Sequence, residues 1–220
     1  MKQQFNLSPS TLALFKDCPK CFWLHMHKKH KRPRGIFPSL PGGMDLKIKK
    51  YFDNYRGSLP PEIRRKVRGI LFKDLATLNK WRYWRTSLKY QKDNITLYGA
   101  FDDLLVDGDI YIALDYKTRD FAPKDETLEY YPHQLDLYTL LLNKNNYKTN
   151  GVAYLVYYCP EKVSKNGMVE FNVKPEKVKV SLKRAKRLFD DAIKLFNGPE
   201  PKAHKECEYC NFVKYFTEFD

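Results

Sequence analysis

Two Cys-x-x-Cys pairs, Cys18–Cys21 and Cys207–Cys210, stand near opposite ends of a 220-residue chain. If all four thiolates serve one metal, the chain must bring its end back to its beginning and close a loop of almost its whole length. The compartment supports a metal over disulfides. The chain has no apolar run of about 18 residues, so no membrane span is expected. It begins Met1-Lys2-Gln3-Gln4-Phe5, without the apolar core of a signal peptide. A cytoplasmic protein is expected, with thiols kept reduced. Two such knuckles suit tetrahedral zinc, and the plain alternative is four unliganded cysteines in packed surroundings. The fifth cysteine, Cys159, follows an apolar run and reads as a small core residue. His204 reads as a surface histidine.

Between the cysteine pairs the chain has the length of one domain with a real core. Ser8 can cap a helix whose first position is Pro9, where no amide partner is needed. Further helices are expected from about Met44 to Tyr55 and from about Pro61 to Leu78. Asn94–Val106 and Asp109–Lys117 flank Asp107-Gly108, a strong hairpin signal. Pro132–Leu142 reads as a helix, and Gly151–Cys159 as a buried central strand. Met168–Val173 suits an edge strand, and Pro175–Phe196 a long amphipathic helix closed by Gly198. This order gives an α/β core with a mixed sheet. One domain over 1–220 is expected, with a helical insertion at about 42–90 and the cysteine pairs forming one metal-bound subdomain.

The hairpin carries the chemistry. Ile110, Ile112 and Leu114 share one face of their strand, and Asp115 and Lys117 the other, because side chains alternate. A carboxylate and an ammonium are therefore held side by side on a rigid strand, with Asp102 on the neighbouring one. Such a set suits phosphodiester hydrolysis with Mg²⁺ or Mn²⁺, whose hard oxygen ligands would be Asp102, Asp115 and the Tyr116 carbonyl. Lys117 would orient the attacking water or stabilise charge developing on the phosphate. For an arbitrary Asp-x-Lys strand the ordinary reading is a solvated ion pair.

Gly99-x-x-Asp102 followed by Asp115-Tyr116-Lys117 resembles the PD-(D/E)XK nuclease superfamily. Its RecB-type branch, which includes the CRISPR-associated RecB-like exonucleases, also carries Gln-x-x-x-Tyr on the next helix. Gln134 and Tyr138 match that motif here, four apart and so on one helix face. The resemblance implies a restriction-endonuclease-like core, a mixed sheet flanked by helices, and catalytic roles for Asp102, Asp115, Lys117, Gln134 and Tyr138. It implies a 4Fe–4S cluster on Cys18, Cys21, Cys207 and Cys210, with structural zinc as the alternative. Many members hold such a cluster with one early and three late cysteines, whereas this chain has two and two. Many also place a metal-binding histidine before the hairpin, where this chain has Asp45 as the best stand-in.

Charge points to the partner. The chain carries 40 Lys and Arg against 26 Asp and Glu, a net charge of +14, which favours polyanions and above all nucleic acid. Lys28, Lys29, Lys31, Arg32 and Arg34 form one basic stretch, and Lys183 and Arg187 lie on the basic face of the last long helix. Arg82 and Arg85, interleaved with Trp81, Tyr83 and Trp84, would suit stacking on unpaired bases if they line a groove. The competing placement turns the tryptophans to the core and the arginines to water. The expectation is a DNA exonuclease, or an enzyme acting on single strands or ends in repair, recombination or defence, working alone or inside a larger complex. A non-catalytic nucleic-acid-binding module and a metal-clipped structural protein are the alternatives.

Overall fold

The computed structural model describes residues 4–33, 35, 39–121 and 132–217. Arg34 lies outside them. Five strands form the main sheet in the order β2-β5-β6-β7-β8, namely Ile70–Leu71, Asp103–Asp107, Ile110–Thr118, Val152–Val163 and Val169–Lys179. β5 and β6 form the expected hairpin around Gly108, which takes a positive φ of 61°. β6 runs parallel to β7, and β8 returns antiparallel. A second sheet, β1-β4-β3, is built from Phe5–Leu7, Ile95–Tyr98 and Lys89–Lys92.

Helices cover both faces of the main sheet. On one side α3 (Ser39–Asp53) lays Ile48 and Phe52 on Leu105, Ile112, Leu114 and Tyr116. On the other, α1 (Pro9–Asp17), α2 (Pro19–Lys28), α4 (Leu75–Arg82), α5 (Pro132–Lys144) and α6 (Leu182–Phe196) enclose the larger core with Leu104, Ala113, Leu155 and Tyr157. Asp136 ties α5 to α6 by pairing with Arg184 and accepting from Ser181 N at 2.7 Å. α7 (Glu208–Thr217) brings the chain end beside the α1–α2 junction. Ser8 caps α1 as expected, with a reciprocal bond to Thr11. Among the described residues no helix is long and apolar enough to cross a membrane.

Several elements depart from expectation, each for a local reason. The stretch from Asn94 to Val106 is not one strand. It leaves the second sheet after Tyr98, turns through Gly99–Asp102, and enters the main sheet at Asp103. The proposed helix from Pro61 to Leu78 is replaced by turns, β2 and the start of α4. Gly69 takes φ 83°, and an added Cβ there would stand 2.5 Å from the Val106 carbonyl oxygen. Helical backbone is thus excluded where the chain pairs with β5. The region 42–90 accordingly supplies strands to both sheets as well as helices. Pro175 opens no helix. It sits within β8, an edge strand where a missing amide is tolerated, and α6 starts only after its cap Ser181.

Candidate active site

β5 and β6 stay paired from Asp107–Ile110 to Asp103–Leu114 and then part company. The site lies in that notch. The break after Tyr98 sets Asp102 at its corner, where its Oδ2 accepts from Tyr116 N at 3.2 Å. A strand residue points its amide and carbonyl to the same edge, so the Tyr116 carbonyl faces Asp102 as well. Asp115 and Lys117 project to the α5 side, as the alternation predicts. Asp115 is buried, its Oδ2 pairs with the Lys117 ammonium, and its Oδ1 accepts from Gln134 Nε2 at 3.1 Å. Gln134 Nε2 also lies 2.9 Å from the Tyr138 hydroxyl, which in turn donates to the Ala100 carbonyl at 2.7 Å. The structure therefore brings together Asp102, Asp115, Lys117, Gln134 and Tyr138.

The electrostatics show a site rich in negative charge. Burial, then the neighbouring Asp102 carboxylate, push Asp115 up to about 7 despite the Lys117 ammonium. Apart from that ammonium, Asp115 Oδ2 is buried and receives no hydrogen bond from the described residues. Burial, with Asp115 and Asp102 nearby, also holds the Tyr138 phenol well above its usual pKa, so it remains a donor.

Asp45 is close, but through an intermediary. Lys49 Nζ stands 2.7 Å from Asp45 Oδ2 and 2.7 Å from Asp102 Oδ1. Burial works against this ammonium, yet the Asp102 and Asp45 carboxylates prevail and raise its pKa. Lys49 is absent from the sequence-based set, as is the network beneath the site. There Asp103, fully buried, takes both nitrogens of Arg56, the Arg82 guanidinium at 3.4 Å and the Tyr116 hydroxyl at 2.6 Å. Arg82 is completed by both oxygens of Asp53, at 2.8 and 2.9 Å, and by the Asp102 carbonyl at 3.0 Å. Its guanidinium is thus engaged by carboxylates and a backbone carbonyl of the protein itself. Asp45, Lys49, Asp53 and Arg56 recur at helical spacing with alternating sign, a pattern that could have flagged this face.

A cavity of about 340 Å³ opens from Gln134 and Tyr138 toward Ser8, Pro9, Ser10, Trp84, Tyr98, Gly99 and Ala100. Trp84 is exposed, 5.5 Å from the Tyr98 ring, with the Arg85 guanidinium 4.4 Å from its own ring centroid. Trp81, by contrast, is in the core. Lys28, Lys29, Lys31, Lys183 and Arg187 are exposed, Arg187 pairing with Asp191 at 3.6 Å. Arg32 instead serves the cysteines, donating to Cys207 Sγ at 3.3 Å. The four cysteines of the two pairs cluster with all sulfurs within 4.8 Å of one another, while His204 offers Cys18 only its backbone amide. Cys159 is buried in the main core.

Gly99 explains itself by contact. A Cβ there would lie 2.8 Å from Tyr138 Cε1 and 3.0 Å from Leu141 Cδ1. Gly99→Ala is expected to displace the Tyr138 ring and break its bond to Ala100. The cost should be about 1–3 kcal/mol by chemical denaturation, typical of overpacking. An unchanged midpoint would show that the ring yields freely.

A family model described as the PD-(D/E)XK nuclease superfamily matches residues 45–215. A solved structure described as "Crystal structure of SSO0001" superposes with a TM-score of 0.51 at 16% identity, covering 97% of this chain and 87% of that one. That likeness is one of fold. Among curated proteins none matches.

Proposed function

This chain belongs to the PD-(D/E)XK nuclease superfamily, and from that premise we propose that it is a metal-dependent deoxyribonuclease acting on strand ends or unpaired segments. The observation that carries the reading is the convergence of Asp102, Asp115 and Lys117 on one notch, braced by Gln134 and Tyr138. The donor set fits Mg²⁺ or Mn²⁺: two adjoining carboxylates and a strand-edge carbonyl, with the buried Asp115 Oδ2 held by the Lys117 ammonium and by no other donor among the described residues. Asp102, Asp115 and the Tyr116 carbonyl would hold the ion, and Asp45, held by Lys49, is the remaining carboxylate of the set. When bound, the ion supplies Lewis acidity toward a phosphoryl oxygen and a water of lowered pKa. The protein supplies the rest. Lys117 presents a fixed positive charge where the scissile phosphate gains negative charge. Gln134 sets the rotation of the Asp115 carboxylate, and Tyr138 ties Gln134 to the Ala100 carbonyl, anchoring the turn that presents Asp102.

Preference for an unpaired strand rests on the cavity beside Tyr138. Trp84 and Tyr98 offer ring surface and Arg85 a cation, an arrangement that suits a splayed base. The test is hydrolysis of labelled single-stranded, blunt duplex and circular DNA, and of RNA, with Mg²⁺ or Mn²⁺ against EDTA. Cleavage of unpaired or terminal DNA alone supports the reading. Lys49, already seated on two of the carboxylates, favours a second reading, a nucleic-acid-binding module without cleavage. Salt-sensitive binding with no metal-dependent product would select it.

The raised Asp115 carboxyl yields a pH prediction. Below about pH 7 a metal ion must displace its proton, so Mn²⁺ affinity by calorimetry should rise about tenfold per pH unit and flatten above that value. The folded value lies above the unfolded carboxyl value of about 4, so the metal-free fold binds the extra proton. Its contribution to stability is complete below about pH 4 and is lost as pH rises through about 7. Metal affinity independent of pH between about pH 5 and about pH 7 would place the proton elsewhere.

A further inference from the structure

The geometry of the four cysteines points to a mononuclear tetrathiolate centre, and we propose that it holds one zinc ion per chain rather than an iron–sulfur cluster. The sulfurs interleave: Cys18 Sγ lies 3.9 Å from Cys210 Sγ, and Cys21 Sγ lies 3.7 Å from Cys207 Sγ and 3.5 Å from Cys210 Sγ. Disulfides would bring paired sulfurs to about 2.05 Å, so these are free thiols. A zinc ion bonded to four thiolates at about 2.3 Å puts them at the corners of a tetrahedron whose edge is about 3.8 Å. These three of the six separations bracket that edge, and the other three stay within 4.8 Å.

A 4Fe–4S cluster imposes a different spacing. Each of its four cysteines binds a different iron at a different corner of the cube, so the inorganic core stands between the thiolates. Four sulfurs that all lie within 4.8 Å of one another leave no room for that core. The cluster implied by resemblance therefore does not fit these residues. The two-and-two distribution of cysteines departs from the cluster pattern in the same direction.

The surroundings complete a closed structural centre. Cys18, Cys21 and Cys207 are buried, and Cys210 is partly so. Four thiolates on a divalent ion carry net negative charge, and two donors face it. The His204 amide lies 3.5 Å from Cys18 Sγ, and Arg32 Nη2 lies 3.3 Å from Cys207 Sγ. Arg32 is itself held by Asp17 and stacks 4.5 Å from the centre of the Tyr209 ring. All four positions of a tetrahedral ion are filled by protein, so the centre has no open site for chemistry. It joins the α1–α2 junction to the start of α7 and acts as a clip.

The test is elemental analysis of wild-type protein purified without oxygen, which needs no variant to fold. The expected result is one zinc per chain, a colourless solution and no acid-labile sulfide. Reloading with Co²⁺ should give the visible bands of a tetrahedral thiolate site, lost in Cys21→Ser. Chelation should lower the melting temperature and open α7 to protease. A brown protein with labile sulfide and about four irons per chain overturns the proposal. So does a single iron, or a metal-free protein that melts as the loaded one does. None of these outcomes depends on nuclease activity, so the zinc centre and the catalytic reading fail or stand separately.

Discussion

Replacing Lys117 by alanine is expected to cut metal-dependent DNA cleavage by about 10²–10³-fold while the protein stays folded. The ammonium contacts the Asp115 carboxylate and lies 3.4 Å from Gln134 Oε1, so it is fixed before substrate arrives. A pre-oriented charge in a partly buried notch stabilises developing phosphate charge without reorganisation, which is why its loss falls on the chemical step. The loss should appear in kcat with KM little changed, measured on a labelled single strand under saturating Mn²⁺. DNA binding in Ca²⁺ should persist, because the basic surface does not involve Lys117. Equal background cleavage by wild type and variant would remove the hairpin from the mechanism.

Asp103→Ala should be the most destabilising of the single changes considered, by about 3–5 kcal/mol. Asp103 is fully buried and is the shared acceptor for Arg56, Arg82 and the Tyr116 hydroxyl. Truncating it leaves two guanidinium groups partly desolvated with too few anions, and that penalty exceeds the worth of the pairs themselves. The melting temperature should fall by on the order of 10 °C. Its chain neighbour offers the contrast. Asp102→Asn removes a carboxylate that repels Asp115, so cleavage should collapse with a much smaller change in melting temperature. If Asp103→Ala melts like wild type, the buried network contributes little. If Asp102→Asn unfolds the protein, Asp102 belongs to the scaffold.

These neighbours show what the chain's pattern reveals and what it hides. The alternation of Ile110 to Lys117 is a local rule, enough to put Asp115 and Lys117 on one face. Helical spacing likewise places Gln134 with Tyr138. The role of Asp103 depends on Arg56, forty-seven positions earlier, and on Arg82, which come together only once the turn after α3 meets α4. Tertiary pairing of this kind leaves no local period. Lys49 hides for a related reason: its two partners are one turn away and fifty-three positions away. The break at Gly99–Asp102 is set by contact with Tyr138 on α5, so apolar continuity from Asn94 to Val106 conceals a change of sheet. The spacing of the cysteine pairs marks a group of four thiolates that could hold a metal, but the choice between one ion and a cube is a matter of distances between sulfurs.

α1 has a mechanical consequence. It is a rod of nine residues, about 13 Å long, and its two ends belong to different centres. Ser8, Pro9 and Ser10 form part of the cavity wall beside Tyr138, and Cys18 follows directly on its last residue. A helix hydrogen-bonded along its length transmits an axial push with little compression. If the four thiolates hold an ion as proposed, emptying that clip is expected to loosen Ser8–Ser10 at the cavity wall, because one helix joins the two places.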